Sequence, residues 1–251
     1  MTSFWTWQQL QSEPEEHDEN AVLCIIHQTY ELWFKQILHE MDKLRDDLRE
    51  AKTWGAVKTM KRILTILKTM VGQIDILETM TPLEFESFRG FLDEASGFQS
   101  VQFREVEMLC GHRSTHILEV HKDQPQYVER MKKRMAEPTV WECFCDFLQQ
   151  KGYDIEMPER KNENGLLYEP SEHNQDVLLT IMNTNQELAM LCELLVDFDE
   201  GMQEWRYRHV KMVERTIGDK MGTGGSSGVE YLRKTLHQRI FPDLWEIRSD
   251  I

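Results

Sequence analysis

Apolar residues recur every three or four positions along nearly the whole chain, and that spacing commits it to helices. Leu23, Ile26, Tyr30, Phe34, Ile37, Met41, Leu44 and Leu48 fall on one helical face. Asp18 or Asn20 is placed to cap that helix at its start. A second stripe, Val57, Met60, Leu64, Leu67, Val71, Ile74 and Leu77, predicts a helix from about Trp54 to Glu78. Thr81-Pro82-Leu83-Glu84 reads as a capping box with proline at the first helical position. Ser96-Gly97 ends that third helix, and another is expected from near Phe98 to about Cys110. Shorter helices follow over 126–136 and 139–150, the last stopped by Gly152. A long helical region runs from His173 to about Ile217, with Gly201 expected to bend or divide it. A further helical stretch, Val229–Ile240, and a Pro242-Asp243-Leu244-Trp245 turn close the chain. Strand-like alternation and fixed-period repeats are absent from the sequence. The polar stretch 153–172, with Pro158, Gly165 and Pro170, reads as an irregular excursion. Its flanks look like pieces of one core, so a single all-helical domain over residues 1–251 is expected.

Bulk properties narrow the function. The net charge is −15. That argues against nucleic acid and anionic membrane, which need a basic face. It favours a small neutral or zwitterionic ligand. The opening Met1-Thr2-Ser3-Phe4-Trp5-Thr6-Trp7 lacks the basic and apolar regions of a secretory signal. No apolar run is long enough to span a membrane. The five cysteines, Cys24, Cys110, Cys143, Cys145 and Cys192, are scattered. They read as reduced core thiols of a cytoplasmic protein. Without Cys-x-x-Cys-His, any haem is held without thioether links.

Two histidines lie on separate apolar helix faces. His27 sits among Ile25, Ile26, Tyr30 and Trp33; His209 has Trp205 one turn before it and Met212 and Val213 after. Such residues are more often core histidines than ligands. On two long helices they also allow a flat cofactor between them, with one imidazole as axial ligand. His112 and His116 have the spacing of a helical metal pair but no acidic third partner, and read as surface residues. Arg89, among Phe85, Phe88 and Phe91, either stacks on those rings or receives a carboxylate. Arg104 reads as a structural ion pair, and Asp42–Lys52 as a solvated face of mixed charge. Gly222-Thr223-Gly224-Gly225-Ser226-Ser227-Gly228 reads either as a linker or as a loop whose backbone N–H groups meet an anionic ligand. It is not a Walker loop, because no lysine follows in the required place.

Five blocks in order resemble the tryptophan 2,3-dioxygenase family. They are His27-Gln28-Thr29-Tyr30-Glu31-Leu32-Trp33-Phe34-Lys35, Thr81-Pro82 with Phe88-Arg89, Ser96-Gly97-Phe98-Gln99-Ser100, Arg206-Tyr207-Arg208-His209, and Gly222-Thr223-Gly224-Gly225. The resemblance implies an all-α helical bundle that holds haem b between long helices and assembles as a homotetramer. It implies that L-tryptophan and O2 give N-formyl-L-kynurenine, with ferrous haem as the active form. His209 is then the proximal iron ligand, and His27 lies on the distal side near the indole N–H. Ser96 falls where the family places a hydroxyl that bonds the distal histidine. Arg89 grips the substrate carboxylate, and Thr223 meets the ammonium and carboxylate from the loop that Gly222 opens. Phe85, Phe103 and Leu23 line the indole pocket, with Phe103 and Trp205 also beside the cofactor.

The sequence also departs from that family's pattern. The N-terminal region has no tyrosine where family members carry Tyr-x-x-Tyr-Leu. Leu23 stands where phenylalanine is frequent, and His17-Asp18-Glu19 lies one residue further from His27 than is usual. These differences bear on the indole pocket. They keep open a haem monooxygenase of the same superfamily that acts on a substituted tryptophan such as β-methyltryptophan. A haem-binding sensor without turnover and a haem-free scaffold are the readings from other classes.

Overall fold

The fold was obtained as a computed structural model. It describes residues 18–90, 92, 99–160, 168–218, 220–221, 229–233, 235–236 and 238–251, with the side chains of 18–20 and Tyr231 excepted. Among these residues every regular element is a helix, apart from an isolated bridge between Arg160 and Tyr168.

Three long helices form the frame. α1 (Asp18–Arg49) and α2 (Thr53–Leu77) are joined by so short a turn that they run antiparallel. The turn closes with Lys52 N–H donating to the Asp47 carbonyl at 2.8 Å. Along α1 the predicted stripe is the buried one: Ile26, Tyr30, Phe34, Ile37, Met41, Leu44 and Leu48 all face the core. The third long helix arrives much later in the chain and packs along α2.

Between them lie shorter elements. α3 (Pro82–Arg89) begins at the expected capping box: Thr81 accepts from Glu84 N–H, and Glu84 accepts from Thr81 N–H at 2.7 Å. α4 (Val101–Leu109) is capped by Ser100, so it starts three residues later than Phe98. Phe98 lies outside the described residues, as do Ser96 and Gly97. α5 (His116–Val120) and α6 (Pro125–Ala136) lead to α7 (Val140–Gln150). α7 has a second capping box, Thr139 with Glu142, and its Trp141, Phe144, Phe147 and Leu148 are completely buried. It ends as expected at Gly152, whose φ is 89°. Gly152 N–H donates to the Gln149 carbonyl and Tyr153 N–H to the Leu148 carbonyl, a Schellman stop.

The stretch after α7 is indeed irregular and folds back on the core. Ile155 and Tyr168 join the main buried cluster, and the Tyr168 hydroxyl meets Thr139 Oγ1 at 2.5 Å. Residues 161–167 lie outside the described set. α8 (Glu172–Thr184) follows, then α9 (Gln186–Ile217), then α10 (Val229–Arg233), α11 (Pro242–Glu246) and a 3-10 turn at Ile247–Ser249.

Three expectations need correction. The long helical region is divided at Asn185, not at Gly201. Asn185 leaves helical geometry at φ −134°, and its side chain accepts from Leu188 N–H to start α9. Gly201 lies inside the unbroken α9, where a Cβ would come within 2.8 Å of Leu67 Cδ2 on α2. Its role is close helix approach. Second, Asp42–Lys52 is more than a solvated face. Arg45 is buried and donates to Asp42 and Glu137, and Arg134 joins the same acids, locking α1 to α6. Third, the helix that starts at Val229 stops at Arg233, well short of Ile240.

Asp199 explains how the C-terminal segment is held. Its carboxylate is fully buried on α9 and accepts from Ile240 N–H at 2.8 Å, Phe241 N–H at 3.2 Å and the Trp245 indole at 2.9 Å. Removing it strands those donors. Asp199→Ala is therefore expected to lower unfolding stability by about 3 kcal/mol or more, read from the shift of the urea midpoint.

Candidate functional site

α1 and α9 bring the two candidate histidines near enough for His27 to influence the His209 imidazole electrostatically. His27 is partly buried, and its Nδ1 lies 2.7 Å from the carbonyl of Leu23, one turn earlier. A carbonyl only accepts, so the ring proton sits on Nδ1 and the lone pair on Nε2. Burial lowers the His27 pKa, while the Leu23 bond and the charge of Glu31 oppose that. His209, on α9, is pushed down to about 4, chiefly by burial and further by repulsion from His27. Both imidazoles are therefore neutral at pH 7. Among the described residues nothing hydrogen-bonds the His209 ring, which stacks on Trp205 with centroids 5.5 Å apart and planes at 7°.

This pair predicts an acid sensitivity. Between pH 6.5 and about 4 His209 in the folded chain binds fewer protons than it does in the unfolded chain. Stability then rises with pH, so it is lost as pH falls through that window. Urea midpoints of the haem-free protein should drop between neutral pH and mid-window, and His209→Ala should reduce that drop.

An aromatic group backs the stack. Phe103 from α4 lies 5.1 Å from Trp205 and 5.1 Å from Phe34, while Tyr30 and Phe34 meet the same indole edge-on. Tyr30 is anchored by donating to the Met70 carbonyl at 2.7 Å. On the side of His27, Leu23 and Phe85 pack around Phe88, and Phe85 meets Phe88 edge-on at 5.5 Å. The predicted pocket residues of α1 and α3 are thus neighbours.

Arg89 ends α3 on the same flank. Its guanidinium donates to the Met221 carbonyl at 2.6 Å and lies 3.5 Å from Glu86. Glu86 in turn receives Lys220 at 3.0 Å. α3 therefore holds the two residues directly before the glycine-rich segment. Gly222 and Thr223, like Ser96, lie outside the described residues. His112 and His116 share no helix: His116 opens α5 and is exposed, and His112 precedes it. Arg104 pairs with Glu107 at 2.6 Å, as expected of a structural ion pair. The five cysteines are buried and form no disulfide with one another. Among the described residues no three acidic, histidine or cysteine side chains gather as a metal site. No helix of these residues is long and apolar enough to cross a membrane.

Two features escaped the sequence reading. Glu31, one turn after His27, accepts from Ser100 Oγ and from Gln102 Nε2, tying α1 to the start of α4. Its spacing from His27 was the available signal. The Met221 carbonyl left none, because a backbone acceptor has no sequence signature.

Comparison with known proteins agrees with this arrangement. The family described as tryptophan 2,3-dioxygenase matches residues 2–151 and 177–251. A protein named tryptophan 2,3-dioxygenase from Herpetosiphon aurantiacus is 52% identical over 96% of this chain and 91% of its own. One so named from Anaeromyxobacter dehalogenans is 48% identical, over 94% of this chain and 88% of its own. One from Bacillus thuringiensis is 35% identical, over 96% and 88%. A helical frame among the described residues and a His209 imidazole stacked within an aromatic group thus coincide with similarity along almost the full length: the chain belongs to the tryptophan 2,3-dioxygenase family.

Proposed function

We propose that this protein is a haem-dependent dioxygenase that opens the indole ring of L-tryptophan with O2 to give N-formyl-L-kynurenine. The observation that carries the reading is His209 stacked on Trp205 against Tyr30 and Phe34 of α1, the helix that also bears His27, with burial lowering the pKa of both histidines. In the reaction the indole C2–C3 bond breaks and each carbon receives one oxygen atom of O2. No outside reductant is consumed overall.

The residues fit haem b. His209 offers a neutral nitrogen donor that no described protein group occupies, and Trp205 and Phe103 give the apolar wall a porphyrin needs. Ferrous haem, when bound, supplies the capture and activation of O2. The protein supplies placement. His27, with its proton committed to the Leu23 carbonyl, presents a lone pair at Nε2 that accepts the indole N–H and orients the ring. By the family resemblance, Ser96 would supply a hydroxyl to that imidazole. Leu23 and Phe85 wall the indole. Arg89 offers a planar two-point clamp for the carboxylate. In the sequence Gly222 and Thr223 follow Met221, whose carbonyl Arg89 holds, and by the family resemblance Thr223 would meet the substrate's ammonium and carboxylate.

The assembly we propose is a homotetramer of single-domain subunits spanning residues 1–251, in the cytoplasm. Buried cysteines that form no disulfide accord with that compartment. The names of the relatives favour insertion of two oxygen atoms over one. Mass spectrometry tests this. The haem-loaded enzyme is reduced anaerobically, then mixed with O2 and L-tryptophan. Product heavier by two oxygen atoms is expected. A gain of one oxygen would show a monooxygenase, and no gain would show a haem or amino-acid sensor.

A further inference from the structure

We propose that Trp205 is a positioning residue: it sets the ring plane of the His209 imidazole through a stack braced by Tyr30, Phe34 and Phe103. The inference rests on the reading that His209 is the axial ligand and deepens it.

A ligating histidine is ordinarily held in orientation by a hydrogen bond from its second ring nitrogen to a carboxylate, carbonyl or water. The described residues give His209 no such protein partner. They give it a parallel indole instead, at 5.5 Å and 7°. Residues 205 and 209 are one helical turn apart, so the stack follows from the backbone of α9. A stack between two free rotors would fix little. Here the indole cannot turn without displacing three rings on two other helices. Phe103 lies 5.1 Å away on α4, and Tyr30 and Phe34 on α1 each lie 6.3 Å away. Tyr30 is itself pinned by its bond to the Met70 carbonyl. The chain of constraint runs from α2 through Tyr30 to Trp205 and ends at the imidazole.

The orientation of an axial imidazole decides how its π orbitals meet those of the metal. It is therefore read by spectroscopy apart from turnover. The test is resonance Raman of the ferrous, haem-loaded protein, following the iron–imidazole stretching band, together with the rate of haem transfer to an apo-globin acceptor. Trp205→Leu should shift and broaden the band, because the ring then samples several planes. Haem loss should become about tenfold faster, near the upper end of what one aromatic pair contributes. Trp205→Phe should restore a narrow band by restoring a stacking partner. Phe103→Leu leaves the stack and removes a brace, and should broaden the band without shifting its centre as far.

A Trp205→Leu band with the position and width of the wild type overturns the proposal. Should Trp205→Leu fail to load haem, Phe103→Leu decides: a broadened band supports the proposal and a wild-type band overturns it. A wild-type protein that binds haem and shows no iron–imidazole band contradicts His209 ligation itself, a different failure.

Discussion

His209→Ala is expected to yield a folded, helical protein that no longer retains haem and no longer turns over tryptophan. His209 is partly buried and, among the described residues, bonded to nothing, so its removal strands no donor or acceptor. Alanine is also the best helix former, which suits the interior of α9. The fold should therefore survive, as circular dichroism would show. Haem binding should not. Losing only a group that orients a ligating histidine costs about 10–100-fold in metal affinity, so losing the ligand should exceed about 100-fold. Gel filtration after haem loading should give a protein peak without a Soret band. Added imidazole should restore part of that band, because the truncated side chain leaves room for it. An undiminished Soret band in the variant would move the iron to another residue.

Arg89→Ala should act on the other ligand and leave the first alone. The guanidinium stands at the flank of the site with its side chain 20% exposed, donating to the Met221 carbonyl. That acceptor is neutral, and a carboxylate is the stronger partner for a guanidinium. Substrate should therefore take over the bond. Truncation removes one side of a charged, hydrogen-bonded pair, which typically costs about 2–5 kcal/mol. KM for L-tryptophan should rise at least about 30-fold, with the Soret spectrum unchanged. Arg89→Lys keeps the charge and loses the planar fork, so it should recover only part of the loss. An unchanged KM in Arg89→Ala would mean that the arginine serves only to hold Met221.

Local chemistry made much of the fold legible. The box at Thr81–Glu84 and the stop at Gly152 need only neighbours in sequence, and both form as their spacing implies. The amphipathic stripes of α1 and α2 are equally self-contained, since burial of one face follows from period alone. What failed depends on partners far along the chain. Gly201 looks like a helix breaker until Leu67 is placed against it. Arg45 looks like a surface cation until α6 brings Glu137 and Arg134 to it. Asn185 breaks a helical pattern with a polar residue that also suits a helix surface, so the division was hidden.

The site divides the same way. His27 and His209 can be singled out because each is a histidine on an apolar face. That they come near one another is a property of α1 and α9 both packing on α2. The Tyr30, Phe34 and Phe103 braces are ring-to-ring contacts between helices, and each alone reads as an ordinary core aromatic. The resemblance carried roles onto Arg89, Thr223 and Ser96 that spacing could not assign.

The most direct measurement is a crystal structure of the haem-loaded protein grown anaerobically with L-tryptophan. The iron should be bound to the His209 imidazole, with the amino acid on the opposite face, its indole N–H on His27 and its carboxylate on Arg89. Iron on any other residue, or the substrate seated away from His27 and Arg89, would contradict the account.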